Sequence, residues 1–290
     1  MNIVLDTICV RVTTKCNMKC RHCWAPFSDK VTDIDLIELI NFISLLKSTV
    51  GLKHVSLSGG EPTLYPHIRI LLEKLFELNL YVSITTNGTS STILAEIVKH
   101  SKFINTSKLN IRLSIDGWKT FHDSIRGNGS YDTTIQEARH LSGMIGRVSF
   151  NTVVMDKPNF SERIFSDLSF VRIADWALIT PISRGRLKSN QSNKKEIFTN
   201  IDLWKKSIKG IKPSLDLFVW DYLSHPNGGI LIEVDGEIKM PGILEKDDIV
   251  IGRIQSIKIT SLRQQIEKRL KKDPVAYFYA QNNRLNLAQH

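Results

Sequence analysis

Long apolar runs are missing from this chain, and cysteine is scarce. No stretch approaches the ~18 consecutive apolar residues of a membrane span, and the segment around Asp6 and Arg11 is typical of a strand, not of a signal peptide. Of the four cysteines, three lie so close together that they would pair badly as disulfides. We therefore expect a globular protein of the reducing cytoplasm, with no membrane contact and no disulfide framework.

Acidic residues are also under-represented, with 29 Asp and Glu against 39 Lys and Arg, for a net charge of +10. Excess basic charge attracts phosphates and anionic peptides, but aromatic residues are not interleaved with the basic ones, as they are in many nucleic-acid-binding surfaces. The densest basic run, residues 268–272, ends a predicted helix, where cations complement the helix dipole. We interpret it as a solvated helix end and expect no nucleic-acid partner, with a polyanionic partner as the minor alternative.

The first two thirds of the chain alternate between strand-like and helix-like patterns. At 290 residues and 42% hydrophobic, the chain can bury a full core. Six β–α repeats favour parallel strands with right-handed crossovers, in a barrel or a doubly wound sheet. Helix signals begin at Leu36, with Thr32 or Asp33 as the cap. The predicted strands are residues 7–14, 54–58, 81–86, 110–115, 148–154 and 176–181, and the later helices are 68–78, 92–99, 131–143 and 160–170.

The pattern changes after Pro181. Residues 183–195 are polar and basic, which is typical of an exposed connection, and a helix is predicted near residues 196–208. Asp235-Gly236 between two apolar runs predicts a hairpin over residues 230–240, and the last predicted helix covers residues 261–271. We therefore expect a core at residues 1–195 and a small C-terminal α+β subdomain at residues 196–290.

Three cysteines follow the first predicted strand in the spacing Cys16-x3-Cys20-x2-Cys23. A [4Fe–4S] cluster is usually held by four thiolates, so three thiolates on one loop can hold one face of a cluster and leave one iron open. The alternative is a zinc site, in which His22 completes a Cys3His set. Zinc sites normally take ligand pairs from two separate segments, which favours iron–sulfur. Cys9, inside the strand, is interpreted as a buried core residue.

A second motif, Gly59-Gly60-Glu61-Pro62, follows the second predicted strand. Paired glycines let a backbone approach a ligand closely. Together with the three cysteines, this motif resembles the radical S-adenosylmethionine (SAM) superfamily over roughly residues 5–190. The resemblance implies a partial (β/α)6 TIM-like barrel with its chemistry at the carboxyl ends of the strands. It also implies one [4Fe–4S] cluster at Cys16, Cys20 and Cys23 whose open iron binds SAM, and reductive cleavage of SAM to a 5′-deoxyadenosyl radical that abstracts a hydrogen atom.

The same resemblance assigns the SAM contacts. Thr86-Asn87-Gly88 and Ser114-Ile115-Asp116-Gly117, followed by Arg126-Gly127, match motifs of the SPASM/twitch-type branch. By this resemblance the turn at residues 59–62 contacts the amino group of SAM, Arg126 pairs with its carboxylate, and Leu178 lies near the adenine. The full set of implied SAM-binding residues is His22, Gly59, Gly60, Glu61, Pro62, Asn87, Ser114, Arg126, Asn151 and Leu178.

The tail departs from that branch. Met240-Pro241-Gly242 stands where the branch has a cysteine, and the sequence has no cysteine after Cys23. We therefore expect a hairpin remnant without an auxiliary cluster, and no mechanism with a C-terminal cysteine as hydrogen-atom donor. The implied partners are a small-molecule substrate (a sugar or nucleoside) or a peptide, and an electron donor such as flavodoxin or ferredoxin. The alternatives are a Cys3His zinc protein in regulation or nucleic-acid binding, and a degenerate member that binds SAM without turnover.

Overall fold

The computed structural model describes residues 5–25, 30–89, 91–101, 106–187, 193–226 and 229–270. Parts of several predictions lie outside these ranges, including residues 188–192 of the polar connection, residues 271 and 272 of the basic run, residue 271 of the last predicted helix and residues 271–290 of the predicted C-terminal subdomain. Within the described residues, no helix is both long and apolar enough to cross a membrane.

One ten-stranded sheet runs through the protein in the order β10-β9-β8-β1-β2-β3-β4-β5-β6-β7. Strands β1 to β7 are parallel and follow chain order, β8 is parallel to β1, and β9 and β10 are antiparallel to their neighbours. The strands are β1 (Thr7–Arg11), β2 (His54–Ser58), β3 (Tyr81–Thr86), β4 (Leu109–Ser114), β5 (Val148–Val153), β6 (Ile173–Ile179), β7 (Asp216–Trp220), β8 (Leu231–Ile232), β9 (Glu237–Met240) and β10 (Ile249–Arg253).

Seven helices lie between the parallel strands β1 to β7, and an eighth follows β10. They are α1 (Leu36–Val50), α2 (Ile68–Glu77), α3 (Ser91–His100), α4 (Lys119–Arg126), α5 (Ser130–Ile145), α6 (Arg163–Asp167), α7 (Lys194–Ile211) and α8 (Ile259–Leu270). The expected mostly parallel α/β fold of the partial-barrel type is confirmed, and so are the hairpin and the last helix. The helix predicted over residues 160–170 is only the short α6, and α4, β7 and β10 were not predicted.

Alternating burial explains why these segments form strands. In β2, Val55 and Leu57 are fully buried on the helix-facing side, while the intervening residues point to the opposite face. Helix α1 packs Leu39, Phe42, Ile43 and Leu46 into the core, at the three- and four-residue spacing of one helix face. Its cap is Asp35, whose side chain accepts a hydrogen bond from the Glu38 amide at 2.8 Å, so the predicted cap at Thr32 or Asp33 is wrong.

The C-terminal strands extend the same sheet. Strand β7 pairs with β6, and β8 pairs with β1, so the segments after residue 196 add strands on both sides of the first six. Residues 195 and 196, the predicted division between core and subdomain, lie in the first turn of α7. The two-part division stays a prediction.

Candidate functional site

A cavity of about 420 Å³ lies on the inner face of the curved sheet. The loop after β1 and the carboxyl ends of the following strands surround its opening, where the chemistry of parallel barrels is located. Most of the predicted site residues line it: Cys16, Cys20, His22, Cys23, Gly59, Gly60, Glu61, Asn87, Ser114, Arg126 and Asn151. The structure thus brings together side chains from the ends of five strands.

Two of the predicted SAM-binding residues lie elsewhere. Leu178 is fully buried in the hydrophobic core and does not line the cavity. Its neighbour Ile179 lines the cavity instead, because successive side chains of a strand point to opposite faces. The contact between Leu178 and the adenine stays a prediction, and Ile179 is the residue of the pair that faces the cavity. Pro62 is buried at the start of a short 3₁₀ turn and supports the glycine turn without lining the cavity.

The cysteine loop is held against the glycine turn by its backbone. The amide of Gly60 donates to the carbonyl oxygen of Thr13 at 2.7 Å, and the amide of Glu61 donates to that of Lys15 at 2.8 Å. A Cβ atom on Gly60 would lie 2.2 Å from the Lys15 oxygen. Glycine is required here because the two backbones are already in contact. The Gly-Gly motif therefore positions the loop that carries Cys16.

Two further contacts hold the far end of the loop. The amide of Arg186 donates to the carbonyl oxygen of Cys23 at 2.9 Å, and Gly185 packs against the backbone of Cys23 and Ala25. The amide of Arg21 donates to the carbonyl oxygen of Ile125 in α4 at 2.9 Å. The loop is thus tied to the ends of β2 and β6 and to α4.

Glu61 joins the second strand end to the third. Its carboxylate is almost fully buried and accepts hydrogen bonds from the Thr86 hydroxyl and the Asn87 amide, each at 2.8 Å, and from the Thr63 hydroxyl at 2.7 Å. Burial raises the pKa of Glu61, and these hydrogen bonds oppose the rise. The side chain of Asn87 in turn donates to Asn17 in the cysteine loop at 2.9 Å. Both residues hold the rim of the cavity in place.

Asp116 is the centre of a buried ionic cluster beside the thiols. Its Oδ2 atom accepts hydrogen bonds from Arg126 Nε at 2.5 Å and His22 Nε2 at 2.7 Å, and its Oδ1 atom accepts one from the Val153 amide at 3.0 Å. Burial would raise the pKa of Asp116, but Arg126 and His22 hold it well below its usual range.

The ionic cluster around Asp116 gives Arg126 and His22 contacts beyond those predicted with SAM. The Nε atom of Arg126 is bonded to Asp116, and its Nη1 atom lies 3.9 Å from Cys20 Sγ. Its guanidinium therefore neutralises Asp116 and faces the thiols, in addition to lining the cavity. The side chain of His22 is buried against Asp116, so this ion pair holds His22 in position.

Arg112 is a cavity residue that sequence reasoning missed. It lies in the middle of β4, is 1% exposed, and donates from Nε to Asn151 Oδ1 at 2.9 Å and from Nη2 to Asp175 Oδ1 at 2.7 Å. The ring of Trp220 in β7 lies 5.2 Å from its guanidinium carbon. An arginine between apolar residues in a predicted interior strand was the available signal, because such a charge is rarely buried without a partner.

The three loop thiols line one cavity. The Nε2 atom of His22 is paired with Asp116 at 2.7 Å, so this nitrogen is not available to complete a Cys3His set. Burial raises the pKa of Cys20 to about 11 although Arg126 lowers it, so a bound cation centre would be needed to keep this thiol ionised.

Cys9 is not the buried core residue that the sequence predicted. Its side chain is partly exposed and lines the cavity. It lies in β1, paired in register with Ser56 of β2, and outside the three-cysteine loop. It is therefore an interior-facing residue of the sheet and an internal comparison for the three loop thiols.

Curated relatives match about half of the chain. A probable GTP 3′,8-cyclase of Pyrococcus horikoshii is 29% identical over 153 residues, which cover 53% of this chain and 48% of that protein. A GTP 3′,8-cyclase of Helicobacter pylori is 30% identical over 167 residues, covering 56% of this chain and 50% of that protein. The chain thus spans about half the length of these relatives.

Solved structures show the fold over most of the chain. Streptococcus suis SuiB bound to S-adenosylmethionine superposes with a TM-score of 0.71 at 18% identity, covering 90% of this chain and 66% of that one. The enzyme anSMEcpe with bound AdoMet has a TM-score of 0.63 at 20% identity, covering 88% and 79%. The family model described as Radical SAM superfamily matches residues 10–167, more than half of the sequence. The protein belongs to the radical SAM superfamily, whose enzymes use a [4Fe–4S] cluster and S-adenosylmethionine.

Proposed function

We propose that Cys16, Cys20 and Cys23 hold the [4Fe–4S] cluster of this enzyme and that SAM binds beside them in the cavity. The cluster supplies the electron that cleaves SAM to methionine and the 5′-deoxyadenosyl radical, which removes a hydrogen atom from a substrate in the barrel. The observation that carries the proposal is that the three thiols line one cavity with Gly59, Gly60, Glu61, Asn87, Ser114, Arg126 and Asn151.

The surrounding residues have separate roles in this proposal. The glycine turn and Asn87 hold the cysteine loop and present backbone groups at the rim. Arg126 brings a positive charge to within 3.9 Å of Cys20 Sγ, which favours the ionised thiol. Ser114 and Asn151 lie at the ends of β4 and β5, paired in register, and both face the cavity. They are placed to hydrogen-bond the ribose or methionine part of SAM.

An acidic electron-transfer protein such as flavodoxin or ferredoxin is the proposed reductant. The loop that carries the cysteines exposes Lys15, Lys19 and Arg21, and Cys16 itself is exposed. Exposed cations of one sign steer an acidic partner to the surface next to them. The reductant would therefore dock over the exposed cations of the cysteine loop.

The proposed substrate is a small molecule with sugar or nucleoside character, or a peptide. Relatives of this chain named GTP 3′,8-cyclase support a nucleoside-type substrate. A peptide is the second candidate, because the fold resembles that of SuiB, solved bound to its precursor peptide SuiA. The net charge of +10 is compatible with an acidic group on either substrate.

The first test is anaerobic reconstitution with iron and sulfide, reduction with dithionite and addition of SAM. Iron content and 5′-deoxyadenosine are then measured together. We expect about four irons per chain, as for one cubane cluster, together with 5′-deoxyadenosine. One bound zinc with intact SAM would contradict the proposal and favour the zinc-protein alternative. A full cluster with intact SAM would instead identify a degenerate member.

The ligand assignment is tested by comparing Cys20→Ala with Cys9→Ala. Both cysteines line the cavity, but only Cys20 belongs to the proposed ligand set. The Cys20 variant should lose the cluster and form no 5′-deoxyadenosine, whereas the Cys9 variant should keep its iron and its SAM cleavage. Undiminished 5′-deoxyadenosine formation by Cys20→Ala would rule out this ligand set.

A further inference from the structure

A buried hydrogen-bond donor lies below the proposed SAM site, on the inner face of the sheet. The Nη1 atom of Arg112 is buried and has no hydrogen-bond partner among the described residues, although the other two guanidinium nitrogens are bonded to Asn151 and Asp175. A buried donor without a partner costs about 1–3 kcal/mol. A group that accepted a hydrogen bond from Nη1 would remove that cost.

The position of Arg112 separates it from the cofactor contacts. It precedes Ser114 by two residues on β4, which places it ~7 Å deeper along the strand. Arg112, Ser114 and Asn151 all line the same cavity. A ligand at Arg112 would therefore lie beneath SAM, where the substrate of the proposed reaction must be.

The charge of Arg112 is already compensated. Asp175 accepts from Arg112 Nη2 at 2.7 Å and from the Ser149 hydroxyl at 2.5 Å, and its side chain is 5% exposed. The pair is neutral, so an additional anion here would be desolvated without a cation of its own. A neutral oxygen acceptor avoids the cost of desolvating an ion, because it needs only the free N–H group.

The neighbouring polar groups are also uncharged or act as donors. Because Asn151 accepts from Arg112 through Oδ1, its amide NH2 group is the part left to donate to a ligand. Ser56, Ser83 and Thr85 line the same cavity with hydroxyl groups from the neighbouring strands β2 and β3. Convergent donors and hydroxyls suit an oxygen-rich, neutral part of a molecule.

Trp220 lies beside this donor. The centre of its ring is 5.2 Å from the guanidinium carbon of Arg112, and both residues line the cavity. Since Nη1 is buried, a ligand oxygen can reach it only if neighbouring side chains shift, and the indole is one of these neighbours. The environment of the indole should therefore change when a ligand binds.

We propose that Arg112, next to the SAM-facing Asn151, forms a substrate subsite that binds a neutral carbonyl or hydroxyl oxygen, such as that of a sugar or nucleobase. The subsite rests on the proposed function, because it assumes that the substrate lies below SAM. It would orient the neutral part of the substrate toward the cofactor. An anionic part, where the substrate has one, would remain at the basic rim.

The test compares acetamide with acetate, which have the same shape but differ in charge. The reconstituted, SAM-bound protein is labelled with 5-fluorotryptophan, and the ¹⁹F resonance of Trp220 is assigned with Trp220→Phe. Trp204, fully buried in the core, is the internal reference. We expect a saturable shift of the Trp220 resonance with acetamide, at an affinity about fivefold higher than for acetate, because acetate would lose its hydration beside an arginine whose charge is already paired.

Two variants keep the test independent of folding defects. Arg112→Lys retains a cation for Asp175 but loses the planar fork, and Arg112→Met with Asp175→Asn removes both charges together. Each should abolish the acetamide shift at Trp220 and leave the Trp204 resonance in place. Persistence of the shift in both folded variants would show that Arg112 is not the donor.

The remaining outcomes are also decisive. Tighter binding of acetate would show that this is an anion site and would contradict the proposal of a neutral ligand oxygen. The absence of any shift with either probe would contradict the subsite itself. SAM cleavage is measured on the same labelled protein without substitutions at Arg112 or Asp175. Loss of the probe response with normal 5′-deoxyadenosine formation would contradict the subsite alone, whereas failure to cleave SAM would contradict the proposed function.

Discussion

Gly185 contacts the backbone of Cys23 so closely that a Cβ atom would lie 2.3 Å from the Cys23 carbonyl oxygen. Gly185 also has a φ of +60°, which an L-amino acid with a side chain rarely adopts. Cys23 ends the cysteine loop, and Gly185 follows β6, so this contact ties the last proposed cluster ligand to the sixth strand. The geometry of the ligand loop therefore depends on a residue more than 160 positions later in the chain.

Gly185→Ala should impair cluster binding. The added methyl group meets backbone atoms, which cannot move aside as a flexible side chain can, so the loop must shift. We expect less iron per chain after reconstitution and a loss of at least ~1 kcal/mol in the free energy of unfolding. The control is Gly210→Ala in α7, where a Cβ meets no atom within 4 Å. Equal iron content in the two variants would show that the contact between Gly185 and Cys23 is not needed for cluster binding.

Asp116→Asn should be strongly destabilising. The substitution leaves Arg126 in a buried position without its counter-charge, and breaking a buried pair in this way costs ~3–5 kcal/mol. Arg126→Met in the same chain removes the orphaned charge, so the double variant should recover part of the loss. Chemical unfolding of the wild type, the two single variants Asp116→Asn and Arg126→Met, and the double variant gives the coupling energy. Additive effects would show that the two residues act independently.

Stability should fall as the pH is lowered through the range governed by His122. Burial lowers the pKa of His122 from 6.5 to about 4, and its Nδ1 atom accepts a hydrogen bond from the Asp116 amide at 3.2 Å. Because the unfolded chain binds the proton more readily, the neutral histidine contributes full stability above about pH 6.5. This contribution, ~3 kcal/mol, is lost between about pH 6.5 and pH 4.

The measurement is the difference in unfolding free energy between wild type and His122→Asn across this pH range. The Asn side-chain oxygen can replace Nδ1 as the acceptor but does not titrate. The variant should therefore show a shallower loss of stability on acidification. Parallel pH profiles would mean that the pKa of His122 is the same in the folded and the unfolded protein, which would contradict the effect of burial.

A chain of buried ion pairs joins the hairpin to the barrel. Glu233 binds Arg11 at 2.6 Å and Lys239 at 2.8 Å, and Asp248 binds Lys239 at 3.1 Å and Arg184 at 2.5 Å. All five side chains are at most 11% exposed. They connect the strand ends of β1 and β6 to the region in which the SPASM/twitch resemblance places auxiliary cysteines, so ion pairs hold this region of the chain.

Asp248→Asn should cost ~3 kcal/mol, because it removes the shared partner of two buried cations. Asp248 also accepts a hydrogen bond from the Gly242 amide at 2.8 Å, which Asn can retain. The control is Glu77→Gln, which breaks a pair with Lys74 whose side chains are 40% and 47% exposed and which should cost less than ~1 kcal/mol. Similar losses in the two variants would contradict a structural role for the buried chain.

The glycine turn and the three cysteines were predicted together, and the structure places them in contact. Local chemistry explains this success. Three thiolates in one loop and paired glycines after a strand are each made of a few neighbouring residues, so their chemistry is recognisable from the sequence alone. The alternation of strand and helix patterns likewise predicted the start of α1, and it predicted α2, α3, α5 and α7 within three residues of their observed ends. Of the seven helices between β1 and β7, it missed α4 and made α6 too long, because both are short and have few apolar positions to indicate their length.

Other features depended on neighbours far away in the sequence. Leu178 and Ile179 differ only in which face of β6 they occupy, and a strand register shifted by one residue exchanges them. The pairing of Arg126 with Asp116 could not be read from spacing either, since both residues also fit a surface turn. The partners of Arg112, namely Asp175, Asn151 and Trp220, come from three other strands and meet it only in the folded sheet.

The sequence by itself determined the reaction family, the cysteine loop and the parallel α/β architecture, because each is encoded in short motifs or in periodicity. Only the tertiary structure decided which side chains face the cavity, which charges cancel, and how the C-terminal strands join the barrel. Those properties arise from contacts between residues up to 222 positions apart, as for Arg11 and Glu233. Burial makes such contacts strong, since the interior offers no water to replace a missing partner.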